Sequence, residues 1–110
     1  MILYSLREVC ELAGVTRRAV QGYEKAGLVE PSGRNKRGYL LYDEKALERI
    51  RQIHLFQQFG FKVKEIGLYL DAPGDVLKEV LLEKRKHLQK EVKAKKNLIQ
   101  RLDEFIHRLV

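Results

Sequence analysis

A chain of 110 residues has room for one small core, and its 22 Lys and Arg against 15 Asp and Glu leave a formal net charge of +7. With 45% apolar and 34% charged residues it is a globular chain whose expected partner is acidic, either nucleic acid or an anionic membrane surface. No apolar run approaches the roughly 20 residues of a membrane span and the N-terminus lacks a secretory signal's apolar core, so a cytoplasmic protein with no membrane partner is expected.

The charge is unevenly placed. Residues 1–42 carry 7 basic and 4 acidic side chains, residues 43–74 carry 5 and 5, and residues 75–110 carry 10 and 6. Two domains are expected, 1–74 and 75–110.

The first helix is predicted to start at Ser5, whose hydroxyl can cap it while Glu8 reaches back, with Leu6, Val9, Cys10 and Ala13 as its buried stripe. Gly14 and Val15 turn the chain. Thr16 then caps a second helix that runs to Ala26 and is ended by Gly27 in the left-handed conformation. In a helix-turn-helix the first turn of the second helix enters the DNA major groove, and here that turn holds Arg17 and Arg18. Two adjacent arginines are more often a solvated surface pair. At a helix start they also oppose the macrodipole, a conflict that a phosphate would remove. Thr16, Arg17, Arg18, Gln21 and Tyr23 are the candidate DNA contacts of this helix, with Val20 facing inward.

Leu28, Val29, Glu30 and Pro31 alternate as a short strand would, followed by the turn SGRNKRG and a second strand YLLY. Two strands around a basic loop make a wing, whose candidate DNA contacts are Arg34, Asn35, Lys36, Arg37, Gly38 and Tyr39.

Asp43 is predicted to cap a third helix with Leu47, Ile50, Ile53, His54 and Phe56–Phe59 on its apolar side, ended by Gly60. A shorter helix carrying Phe61, Val63, Ile66, Leu68 and Leu70 stops before Pro73. His54 lies near the apolar face and reads as a structural histidine.

From Asp75 onward the pattern is one helix without glycine or proline. Leu81, Leu88, Val92, Ile99, Leu102, Ile106 and Leu109 recur at the a and d spacing of a coiled coil, interrupted by Arg85 and Lys95 and widened by Leu98 and Phe105. Such a seam implies a homodimer. The lysine-rich first half, Lys84 to Lys96, reads as a solvated flank, with added nonspecific DNA or partner contact as the alternative. The seam runs on to Leu109 and Val110, so an effector domain further along a longer chain stays open.

The run GVTRRAVQGYEKAGLVEPS, followed by RGYLLYDEKALERI and FGFKVKEIGLYL, resembles the MerR family of bacterial transcription regulators over residues 2 to about 72. The resemblance places the family's DNA-contacting arginine on Arg18, its tyrosine-glutamate pair on Tyr23 and Glu24, and its wing glycine and aromatics on Gly38, Tyr39 and Tyr42. Gln21 and Gly22 stand where the family has an arginine and an aromatic, and Leu40 replaces a wing arginine. The resemblance further implies an antiparallel pairing of the long helices and a dimer that bends and untwists promoter DNA, so that RNA polymerase engages an overlong spacer.

No P-loop, nucleophile elbow or paired catalytic carboxylate is present, so no enzyme activity is expected. No cofactor is expected either. Cys10, His87 and His107 make no recognisable metal spacing, and a lone cysteine forms no disulfide within the chain. The expected fold is mainly α: a winged helix-turn-helix followed by a long coiled-coil helix. The expected function is a homodimeric, nucleoid-associated transcription regulator on a palindromic site in double-stranded DNA. An architectural, chromosome-organising scaffold without strong sequence preference is the rival reading.

Overall fold

The computed structural model describes residues 2–109; Met1 and Val110, the outer limits of the two expected domains, lie outside the described residues. The elements run β1 (Tyr4–Ser5), α1 (Leu6–Ala13), α2 (Arg17–Lys25), β2 (Gly33–Arg34), β3 (Leu40–Tyr42), α3 (Glu44–Phe59), α4 (Val63–Tyr69) and α5 (Gly74–Arg108). Two compact units divide them, Met1–Ala72 and Pro73–Val110. Pro73 forms the N-cap of α5, which begins at Gly74.

Local chemistry starts the helices of the first unit. The Ser5 hydroxyl accepts from the Glu8 amide at 3.1 Å, and the Glu8 carboxylate accepts from the Ser5 amide at 3.0 Å, which completes a capping box for α1. Gly14 closes α1 at φ 69°, where a side chain would be strained. Thr16 Oγ1 and Asp43 Oδ1 cap α2 and α3 by accepting from Ala19 N and Ala46 N.

The strands form one antiparallel sheet in the order β1-β3-β2, pairing Tyr4 with Tyr42 and Gly33 with Leu41. Two expectations are corrected here. No strand forms over Leu28–Pro31; the partner of β3 is Gly33–Arg34, inside the segment read as a turn. Leu28 and Val29 are instead buried, and the Leu28 carbonyl accepts from Arg49 Nε at 2.9 Å, so this stretch is fixed by packing and not by a ladder. The third strand, β1, was not expected at all.

Val9, Val20, Tyr23, Tyr42, Leu47, Ile50, Ile53 and Ile66 are the fully buried side chains, drawn from α1, α2, β3, α3 and α4. Of the stripe expected on α1, Val9 is buried, whereas Leu6, Cys10 and Ala13 are half-buried. Leu68 is corrected from the core to the surface, being 71% exposed. It lies two residues beyond buried Ile66, about 200° around the helix, which turns it outward. Gly67, itself exposed, lies against Leu28: a Cβ there would sit 3.3 Å from Leu28 Cδ2, so its absence lets α4 approach the segment after α2. Phe56, Phe61 and Tyr69 pack in sequence, tilted and then edge to face, with centroid separations of 5.5 and 6.3 Å, and bind α4 to the end of α3.

Arg49 joins three segments. Beside its bond to Leu28 it makes a bidentate pair with Asp71, both contacts at 2.6 Å, which anchors the end of the unit to α3. The guanidinium holds the Asp71 carboxyl below its usual range, so the pair persists in mild acid and is lost only as the pH falls through that lowered value.

The second unit is the 35-residue helix α5, about 52 Å long at 1.5 Å per residue. Leu81 is half-buried, and Leu88, Val92, Ile99, Leu102, Phe105, Ile106 and Leu109 are exposed on the single chain. No helix among the described residues is long and apolar enough to cross a membrane.

Candidate nucleic-acid interface

The candidate surface is built on α2 and on the β2–β3 hairpin. Thr16 is committed to folding, since its hydroxyl accepts from the Ala19 amide at 3.0 Å. Arg17 and Arg18 follow in the first turn and Gln21 one turn later, all exposed, with no acidic residue in that turn to offset the arginines against the helix dipole.

Tyr23 departs from this group and is corrected. Its ring is 2% exposed and its hydroxyl donates to Gln57 Oε1 at 2.5 Å, so it faces α3 and cannot reach a groove without leaving the core. A position six residues after Arg17 lies about 240° around the helix, on the side away from the first-turn arginines. The neighbouring Glu24 accepts a hydrogen bond from the Tyr42 hydroxyl, which joins α2 to β3. Burial, and then the bond to Glu24, push the Tyr42 phenol far up, so it remains a donor at any physiological pH. Sequence reasoning missed this tie, because a bond spanning eighteen positions leaves no local signal.

The hairpin is locked by Asn35. Its Oδ1 accepts from the amides of Arg37 at 2.9 Å and Tyr39 at 3.0 Å, and its own amide donates to the Tyr39 carbonyl at 2.9 Å. Gly38 sits at φ 82°, the conformation that lets the turn close, and its carbonyl accepts from Arg34 Nη1 at 2.7 Å. One amide and one arginine therefore shape the turn, and they leave Lys36, Arg37 and Tyr39 projecting, with Tyr39 65% exposed.

Helix and hairpin meet in a cleft of about 530 Å³ whose lining includes Arg7, Arg17, Asn35, Gly38 and Tyr39. The cleft places Arg17 beside three of the hairpin candidates. It also adds Arg7, which sequence reasoning missed; this α1 residue pairs with Glu11 at 3.4 Å. Two guanidinium groups, an exposed phenol and a polar hairpin around one open cleft suit phosphate oxygens.

Cys10 is half-buried, and burial raises its thiol pKa, partly opposed by the charge of Arg17. Thiolate chemistry is therefore suppressed. Cys10→Ala is expected to cost about 1 kcal/mol in chemical denaturation and to leave DNA binding unchanged with or without oxidant. An oxidant response that disappears in the variant would contradict this reading.

Comparison with known proteins places this geometry. The family model for MerR helix-turn-helix regulatory proteins matches residues 4–73. The chain is 38% identical over 103 residues to the HTH-type transcriptional activator Mta of Bacillus subtilis, covering 94% of this chain and 37% of that protein. It is 37% identical over 71 residues to the HTH-type transcriptional activator TipA of Streptomyces coelicolor, covering 64% of this chain and 28% of that protein. It therefore spans well under half the length of these relatives. Its fold matches the crystal structure of MtaN, the N-terminus of the Bacillus subtilis multidrug transporter activator, with a TM-score of 0.73 at 33% identity, covering 94% of this chain and 97% of that one. A family match over most of the chain, carried by a capped α2 beside a basic hairpin, makes this chain a member of the MerR family of helix-turn-helix regulatory proteins.

Proposed function

We propose that the protein is a cytoplasmic transcription regulator that binds a two-fold related promoter site as a homodimer, with α2 in the major groove and the β2–β3 hairpin on the adjacent backbone. The observation that carries this reading is the cleft in which Arg17 of α2 and Asn35, Gly38 and Tyr39 of the hairpin line one surface. Arg18 and Gln21 are the proposed base readers. Arg17, Lys36, Arg37 and Tyr39 are the proposed backbone contacts, while Thr16, Arg34, Asn35 and Gly38 shape the elements that present them. The unpartnered seam Leu81, Leu88, Val92, Ile99, Leu102, Phe105, Ile106 and Leu109 supports dimerisation through α5. The activator names of the Bacillus and Streptomyces relatives support a role at promoters; contact with RNA polymerase on deformed DNA is part of the proposal.

Two readers on one stiff dimer have a fixed separation, so the DNA must match it or be twisted to it. The test is selection of bound genomic DNA, followed by titration of the selected inverted repeat with its half-site spacing changed one base pair at a time. The expected loss is at least tenfold per base pair, about 1.4 kcal/mol. A flat series would remove the twisting mechanism and leave an architectural DNA-binding protein.

A further inference from the structure

Residues 84–101 contain eight Lys and Arg and one acidic residue, Glu91, a net +7 equal to that of the entire chain. This segment lies wholly within α5. At 100° per residue, Lys86, Gln89, Lys90, Lys93, Lys96, Asn97 and Gln100 fall on one face of the helix, roughly opposite the face of Leu88 and Ile99. All seven are exposed. The face consists of lysines and side-chain amides alone, over about 21 Å of helix axis.

Helix stability does not account for this face. Solvated helix surfaces gain from opposite charges three or four residues apart, and like charges at those spacings repel. Lys86–Lys90, Lys90–Lys93 and Lys93–Lys96 place like charges at each of those steps, with no acidic residue on the face between them. Such a face is relieved by a polyanion. A protein partner is expected to use an aromatic or aliphatic anchor, and a membrane surface requires apolar residues beside the cations, yet the face holds neither. Lysines interspersed with amide donors are the groups that contact phosphate oxygens without reading bases.

From this we infer that the outward face of α5, Lys86–Lys90–Lys93–Lys96 with Gln89, Asn97 and Gln100, is a second, sequence-independent binding surface for the DNA phosphate backbone, separate from α2 and the hairpin. The inference extends the DNA-binding reading above, and the four lysines supply its strength through counterion release. Each phosphate neutralised contributes about −0.9 to the slope of log affinity against log salt, so four contribute about −3.6.

The test titrates the full chain against a random-sequence duplex from 50 to 300 mM salt. It compares wild type, the quadruple change Lys86→Gln, Lys90→Gln, Lys93→Gln and Lys96→Gln, the double change Arg17→Ala with Arg18→Ala, and the combination. Glutamine matches lysine closely in helix propensity, and circular dichroism checks that the helix is retained. The expected result is that the double variant still binds random duplex and that the four glutamines lower this binding at least tenfold. They should also flatten the salt slope by about 3.6. An unchanged affinity and slope in the quadruple variant overturns the inference. So does a quadruple variant that loses binding to polyglutamate but not to duplex, which would assign the face to an acidic protein. Should the double variant retain full affinity for its selected promoter site, the reading of α2 fails while the inference about α5 stands on its own salt slope.

Discussion

Leu102→Asp is expected to give monomers in sedimentation and to abolish tight binding to the promoter site in the same step. Leu102 is 61% exposed on the single chain and occupies the seam with Ile99, Phe105 and Ile106, so a second copy of α5 is the partner that fits it. A carboxylate placed in that seam loses its water and meets only apolar side chains, at a cost of several kcal/mol. The effect on DNA exceeds the effect on the helix pair, because two linked readers bind with an avidity of roughly 10² to 10⁴ over one. Losing the dimer therefore removes that factor without touching a single DNA contact. A wild-type protein that sediments as a monomer and still binds its site fully would refute the arrangement.

Arg18→Ala is expected to weaken promoter binding by about 1 to 3 kcal/mol, the range for a residue at a base edge or phosphate in the groove. Arg18 is exposed in the first turn of α2, where nothing acidic offsets its charge against the dipole. The control is a single lysine on α5, such as Lys90→Ala. One lysine among eight like charges contributes a single salt-screened contact and should change promoter binding by well under 1 kcal/mol. Titration of both variants at one salt concentration decides the matter, and equal losses would remove α2 from its proposed role.

The residues that announced the fold did so through short-range chemistry. Ser5 with Glu8, Thr16 before two arginines, and Asp43 three residues ahead of Ala46 each satisfy backbone donors within one helical turn, so their caps could be read from spacing alone. Of the strands only β3 was legible, within YLLY, while β1 and β2 were not. Tyr4–Ser5 is two residues long and exists only because Tyr42 and Leu41 lie opposite, thirty-odd positions away. Leu28 to Pro31 reads as a short strand, yet Leu28 and Val29 are both buried, Arg49 claims the Leu28 carbonyl and Gly67 of α4 packs against its side chain. The candidate interface divided in the same way. The exposed arginines of α2 and the basic hairpin were legible as charge in a motif, whereas Tyr23 was misplaced because its role depends on Gln57, thirty-four residues distant. Arg7 stayed hidden for a related reason, since it lies on the first helix, not on α2 or the hairpin, and joins the cleft only through the fold.

The two tyrosine hydroxyl bonds, Tyr23 to Gln57 and Tyr42 to Glu24, have a thermodynamic consequence. They fix α2, the proposed reading helix, to α3 on one side and to the sheet on the other, so its side chains start from a frame already set. Together with the turn that Asn35 holds, this means the conformational entropy of arranging the reader is lost when the chain folds and not when it meets DNA. What is left to order at the encounter is the long side chains themselves and the double helix. On the proposed reading, the structural adjustment on complex formation is expected to fall on the nucleic acid, which would make the stiffness of its sequence a quantity this protein senses.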